Sequence, residues 1–446
     1  MASLLWFRRD LRLGDLPALL AAADEDGPVL ACFVLDPQLE SGSAARRLQF
    51  LGDALRTLND DLDGRLLVVR GAPEQQIPLL ANEIGATAVH ISEDFSPYGH
   101  RRDIRVRSAL GEVPLVATGS PYLVSPNRVT KDDGSAYRVF TPFFRRWREH
   151  GWRAPARSGP ASVRWLDPSG LPGQTEIPDP GVRLEVVAGE AAAQRDWRAF
   201  VEDHLDGYAQ QRDRPDLDAT SHMAVHLKFG TIHPRTMAAD LDPGHDGHAA
   251  YLRQLAFRDF YAAVLARWPH SAWQNWNRDF DALPTDTDEA AGALFEAWKS
   301  GRTGFPIVDA GMRQLQQSGF MPNRIRMVVA SFLVKDLHLP WQWGARWFLD
   351  QLVDGDMANN QHGWQWCAGS GTDAAPYFRV FNPTAQGQRF DPDARYIRRW
   401  VPELAAVDNP HLPGAHRPAD YPAPIVDHRE ERAEALRRYQ AAMADR

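Results

Sequence analysis

The first 120 residues alternate short β-branched runs with amphipathic stretches, and this alternation restricts the fold more than any other feature of the chain. SLLWF (3–7), VLACFVL (29–35), RLLVVR (65–70) and TAVHI (87–91) read as buried strands. LPALLAAA, RRLQFLGDALRTL, IPLLANEI and the segment after Tyr98 fill the gaps with helical spacing. Parallel neighbours need a crossover between them, so the pattern predicts an open, mostly parallel, Rossmann-like α/β sheet. The stretch carries neither GxGxxG nor GxxxxGK[ST], so no dinucleotide fingerprint or P-loop is indicated.

The character changes twice further on. GWRAPARSGPASVRWLDPSGLPGQTEIPDPG (151–181) is rich in Pro, Gly and Ser without a sustained period, and reads as a linker wrapped over a surface. From about 195 the pattern is helical. These shifts predict an α/β domain over 1–125, an interdomain linker over 126–195 and an all-α domain over 196–446. Ile325, Val328, Val329, Phe332 and Leu333 follow one helical stripe, which leaves Asn323, Arg326 and Met327 together on the other side. Gln254, Phe257, Arg258 and Tyr261 form a similar mixed row on a second helix, beside an apolar row with Phe260 and Val264. The final HREERAEALRRYQAAMADR reads as a charged helix solvated on one side.

Composition excludes several classes. A formal charge of -8 argues against a protein that coats nucleic acid non-specifically, yet permits one basic groove. Two cysteines, Cys32 and Cys367, support no disulfide framework and no Cys-rich metal site, and no metal is predicted. No apolar run approaches the roughly 18 residues of a membrane span. The start, MASLLWFRRDLRLGD, is broken by charge too early for a signal peptide, so a cytoplasmic protein is expected. Fifteen tryptophans are unusual, and two of them flank a glutamine in WQWCAG (364–369), after the polar run DGDMANNQHG.

TGFPIVDAGMRQL (303–315), NRIRMVVASFLVKDL (323–337) and DGDMANNQHGWQWCAGSGTDAAPYFRVFNP (354–383) resemble the flavin-binding core of the DNA photolyase and cryptochrome family. LLWFRRDLRLGD (4–15) is similar to the family's opening, so the resemblance spans nearly the whole chain, nearest to bacterial class I cyclobutane pyrimidine dimer photolyases. It implies a helical domain that holds FAD. Thr220 and Ser221 match diphosphate contacts, and Tyr208 and Tyr251 join the cofactor set. Arg326 is expected to pair with Asp354 beside the ring. Asp356 is expected to accept from the ring edge, Asn360 to face N5, and Arg258 and Asn323 to complete the pocket. Residue chemistry agrees: a reduced, anionic flavin needs nearby cations and amide donors.

The resemblance also sorts the tryptophans. Trp364 is expected nearest the flavin, Trp341 in the middle of an electron relay, and Trp366 against a flipped lesion. The stretch that corresponds to the outer relay member, NRDFDALPTDTDE, has no tryptophan; Trp276, Trp298, Trp343 and Trp347 are all open substitutes. Asn323, Met327, Gln254, Phe257 and Trp366 form the implied lesion face. Arg324, Arg379 and Lys228 are candidate phosphate contacts on UV-damaged DNA. Base flipping by photolyases is a known example of this mode of recognition.

The chain departs from the class I pattern at Gln254, where a glutamate is usual, and at Phe257, where a tryptophan is usual. Tyr251 and Phe320 also replace tryptophans. Gln254 is the residue that (6-4) photoproduct photolyases tend to show, whereas Asn323 and Met327 stand where those enzymes carry two histidines. EDFSPYGHRRDIRV (93–106) is similar to the segment of members that bind an 8-hydroxy-5-deazaflavin antenna, and the Asn-Glu pair typical of methenyltetrahydrofolate binders is missing. The expectation is therefore a monomeric, light-driven lyase for cyclobutane pyrimidine dimers. The alternatives are (6-4) repair and a cryptochrome-type blue-light receptor.

Overall fold

The computed structural model describes residues 2–25, 27–373, 379–414 and 418–444. Its packing divides into two compact units, residues 1–206 with 221–267 and residues 207–220 with 268–446. This division differs from the boundary expected near 195, because residues 196–206 and 221–267 pack with the α/β part. A helical pattern along the chain does not say which core its helices join.

The first unit is built on five parallel strands: β1 (Ala2–Phe7), β2 (Val29–Leu35), β3 (Leu66–Arg70), β4 (Ala86–Ile91) and β5 (Leu115–Ala117). Their order is β3-β2-β1-β4-β5. Four coincide with the short apolar runs; the fifth, at three residues, is too short to give a pattern. β1 and β2 are buried at every position, as a parallel sheet covered on both faces requires. Around them lie α1 (Pro17–Ala23), α2 (Ala45–Asp61), α3 (Pro73–Glu83) and α4 (Pro97–Ala109). Three of these open on a proline, whose missing N–H has no intrahelical partner to lose at that position. The strand order reverses between β1 and β4, so their carboxyl ends frame a switch-point crevice.

α5 (Phe140–His150), α6 (Glu190–Asp203) and α7 (Asp246–Arg267) complete this unit. The Pro/Gly-rich stretch runs along the sheet as irregular chain. Val29 N donates to Arg164 O at 2.9 Å, and Thr175 N to Val68 O at 2.8 Å. Asp259 lies in the buried row of α7 and accepts from Leu123 N, Val124 N (2.8 Å) and Trp147 Nε1 (3.0 Å). Burial pushes its carboxyl up to about 6. This one side chain ties the 123–124 segment and α5 to α7.

The second unit packs α8 (Glu289–Lys299), α9 (Pro306–Ser318), α10 (Asn323–Lys335), α11 (Trp341–Gln351), α12 (Met357–Ala368), α13 (Pro383–Phe390) and α14 (His428–Ala444). Trp298, Phe332, Phe348 and Trp364 sit in its core. The TGFPIVD run makes a polar knot at the start of α9. Asp309 accepts from Thr303 N and Oγ1 (both 2.7 Å), Gly304 N (3.0 Å) and Tyr421 OH (2.6 Å). α10 buries Ile325, Val328, Val329, Phe332 and Leu333, the five positions that the spacing assigns to the core. α14 buries only Ala435 and is held by Arg438 to Asp286 (2.8 and 3.0 Å) and by Glu431 to His338 (2.7 Å). Among the described residues no helix is long and apolar enough to cross a membrane.

Candidate functional site

In the second unit the less buried side of α10 meets the turn before α12. Arg326 donates through Nη2 to Asp354 Oδ2 at 2.8 Å and through Nε to Met321 O at 2.7 Å, with Phe320 beneath its guanidinium. The other oxygen of Asp354, Oδ1, is buried and has no partner among the described residues. Asp356 caps α12 by accepting from Asn359 N (3.1 Å) and Nδ2 (2.9 Å). One turn on, Asn360 donates to Ala345 O at 3.0 Å. Asn323 Nδ2 lies 3.6 Å from Met327 Sδ, so amide and thioether share one patch.

Residues 364 and 366 stand about 200° apart on α12, so their indoles take different directions. Trp364 is 2% exposed and edge-on to Phe348 (4.9 Å) and Trp298 (6.1 Å); Trp366 is half-buried. A Cβ at Gly344 would lie 2.1 Å from Trp364 Cη2, so glycine is what lets α11 approach the indole. Trp341 is buried and donates Nε1 to Asn275 Oδ1 at 2.9 Å. Of the open outer-relay candidates, Trp298 is fully buried. It stacks on Phe295, which lies 5.3 Å from the half-buried Trp343.

Arg324, expected at a DNA phosphate, is engaged within this unit: Nη2 pairs with Asp213 at 2.8 Å, and the guanidinium lies 4.3 Å from the Phe390 ring. A phosphate would have to compete with that carboxylate. Arg379 is exposed, and its carbonyl accepts from the buried Lys335. Burial pulls the Lys335 ammonium down to about 8. Tyr208 is buried beneath Arg212, and Thr220 is half-buried. Residues 374–378 of the family-like run lie outside the described residues.

The remaining expected residues belong to the first unit. Ser221 Oγ lies 2.8 Å from Tyr251 OH, and Tyr251 is buried against Trp197 and Phe200. Gln254 is half-buried, with Nε2 donating to Ala250 O at 3.3 Å. Phe257 stacks on Phe140 with centroids 3.5 Å apart and planes within 5°. Arg258 is buried: it donates to Pro121 O (2.7 Å) and Leu227 O (2.9 Å) and lies over Tyr122. Lys228 is half-buried, and its carbonyl accepts from Arg9 Nε at 3.5 Å.

Two family profiles match the chain. The DNA photolyase profile covers residues 3–161, and that of the FAD binding domain of DNA photolyase covers residues 251–441. The deoxyribodipyrimidine photo-lyase of Thermus thermophilus is 42% identical, with 97% of each chain covered. The chain belongs to the DNA photolyase family. Its fold agrees with a bacterial class III photolyase from Agrobacterium tumefaciens (TM-score 0.91, 34% identity, 99% and 98% of the two chains covered). A cryptochrome from Synechocystis sp. PCC6803 is also similar (TM-score 0.90, 27% identity, 98% of each chain).

Photolyases of this family carry the FAD binding domain that the second profile describes, and the residues present suit such a group. The buried, partnerless Asp354 Oδ1 is an acceptor in want of an N–H donor, and the paired Arg326 supplies fixed positive charge beside it. In the first unit the photolyase switch-point crevice is lined by charge. Arg8 Nη1 binds Asp103 at 2.6 Å, and Arg102 Nη2 binds Asp103 (2.9 Å) and Asp94 (3.4 Å). Both guanidiniums lie over Trp6, at 4.9 and 5.0 Å. Burial opposes ionisation of Asp94, yet Arg102, Arg9 and Arg8 overcome it and hold the carboxyl at about 2. Asp94, Arg102 and Asp103 all belong to the 93–106 segment. The sequence reading missed Asp259, Asp309, Lys335 and Phe140. A charged residue inside an apolar row was the available signal for Asp259 and Lys335.

Proposed function

We propose that this photolyase splits cyclobutane pyrimidine dimers in UV-damaged DNA, using light. The observation that carries the reading is full-length similarity to a deoxyribodipyrimidine photo-lyase. FAD held in reduced form by the chain would supply light-driven electron transfer. The chain's residues hold and orient. Arg326, paired with Asp354, and Asp356 and Asn360 at the start of α12 would hold the flavin. Trp364 and Trp341 relay electrons inward. Asn323, Met327, Gln254, Phe257 and Trp366 receive the extruded lesion. The Asn323–Met327 contact supports dimer over (6-4) specificity, because neither side chain can supply an imidazolium proton. The antenna is an 8-hydroxy-5-deazaflavin in preference to methenyltetrahydrofolate, supported by the 93–106 segment at the crevice; absorbance of protein purified from its native host distinguishes the two.

Illumination of the reduced protein with DNA carrying each lesion tests the reading. Restored thymines are expected from the cyclobutane dimer only. Restoration from neither lesion favours a cryptochrome-type receptor, and restoration from the (6-4) product alone reverses the lesion assignment.

A further inference from the structure

α5 concentrates positive charge on a chain that is negative overall. From Arg138 to Arg153 the sequence carries Arg138, Arg145, Arg146, Arg148 and Arg153 against one carboxylate, Glu149. The helix buries Phe140, Phe143 and Trp147, which turns Arg145 and Arg148 outward, roughly 60° apart on the opposite side. Arg146 is balanced by Glu149 (3.5 Å) and Asp132 (3.7 Å). Arg145 and Arg148 have no ion-pair partner among the described residues.

Arg253 of α7 comes to the same place. Its guanidinium lies 4.8 Å from the Phe140 ring centre, 5.3 Å from Phe144 and 5.7 Å from Phe257. Arg148 lies 6.0 Å from the same Phe144 ring. Both guanidiniums therefore lie near one phenyl group, and neither has a carboxylate partner among the described residues. Like charges gathered at one ring repel each other, and an anion that contacts both relieves that repulsion. Guanidinium forks also match phosphate oxygens in shape.

We propose that Arg148 and Arg253, extended by Arg145, form a phosphate clamp for the DNA strand that flanks the lesion. The proposal rests on the reading that Phe257 faces the lesion. Phe257 is stacked on Phe140 under Arg253, so a strand whose damaged bases reach Phe257 runs its backbone past these cations. The aromatic cluster fixes where the guanidiniums stand, and the clamp contacts backbone alone, so it adds affinity without reading sequence.

The full chain with its flavin is titrated with an undamaged duplex, and with the same duplex carrying one thymine dimer, across about 50 to 200 mM salt. Each phosphate contact contributes about -0.9 to the slope of log K on log salt. The Arg148→Gln/Arg253→Gln double variant is expected to flatten the slope by about 1.8 on both duplexes. Arg253→Lys keeps the charge and is expected to stay near the parent. Arg437→Gln, on the exposed α14 pair with Glu434, is expected to match the parent. A double variant with the parent's slope, or an equal loss in Arg437→Gln, overturns the clamp. If the double variant fails to fold, the exposed Arg148→Gln alone carries the test, with an expected change of about 0.9. A parent that binds both duplexes equally and restores no thymines refutes dimer repair instead, and the slope comparison still decides the clamp.

Discussion

Arg326 Nη2 lies 2.8 Å from Asp354 Oδ2, while Asp354 Oδ1 is buried without a partner among the described residues. One carboxylate thus orients the cation and keeps an acceptor free for a ligand. Asp354→Asn removes the charge, keeps the shape and leaves Arg326 uncompensated. A hydrogen bond to a charged group contributes about 1.5–3 kcal/mol, so FAD affinity should fall roughly 10- to 100-fold. The flavin-to-protein ratio after dialysis checks this; full flavin retention in the variant would count against the assignment.

His362 is buried on α12, and desolvation lowers its pKa to about 3. In the unfolded chain a histidine titrates near 6.5. Between those values the unfolded chain binds a proton that the folded one does not, so stability is present above about 6.5 and is lost as pH falls. The loss at pH 5 is on the order of 2 kcal/mol. His226 and His233, each lowered by burial to about 4, act in the same sense. Asp259, raised to about 6, acts oppositely. The decisive comparison is therefore single-site: His362→Gln should show a smaller fall in Tm from pH 7 to 5 than the parent. An unchanged pH slope would discount the buried imidazole.

Gly344 gives Trp364 its seat. An alanine Cβ there would come within 2.1 Å of the ring. Overpacking of this kind costs about 1–3 kcal/mol, against about 1 kcal/mol gained from alanine's helix propensity. Gly344→Ala should lower Tm and alter the near-ultraviolet circular dichroism, and Trp364→Phe in the same background should recover part of the loss. A variant as stable as the parent would show that the helices part easily.

The strands were legible because parallel strands buried on both faces write themselves as continuous apolar runs, as in VLACFVL. The core stripe of α10 was legible because five apolar residues share one helical face. Periodicity reports that a face is covered, but not by what. Arg258 shows this: its row reads as a mixed face, and its guanidinium donates to Pro121 O and Leu227 O. Asp213 against Arg324 and Phe140 against Phe257 lie more than a hundred residues apart in sequence. Such pairings follow from packing, which no local pattern encodes. The motif match supplied the site residues, and the structure added which of them are already engaged.

Gln254 stands where class I relatives are expected to carry a carboxyl group. Among the described residues its amide donates to Ala250 O of its own helix, at 3.3 Å, and the side chain is half-buried. That bond is no obstacle to replacement, because a helix carbonyl keeps its backbone donor. Glutamate has nearly the same volume, so the packing of α7 should survive. A protonated glutamate donates a short O–H bond and can release the proton to a lesion that has gained an electron. Glutamine offers the bond without a transferable proton. Gln254→Glu is therefore expected to raise the yield of repaired dimers per absorbed photon, with a stability within about 0.5 kcal/mol of the parent. Gln254→Ala, which loses both functions, should fall below the parent. The measurement is single-turnover repair under calibrated light; a glutamate variant with equal or lower yield would show that another departure, such as Phe257, limits the reaction.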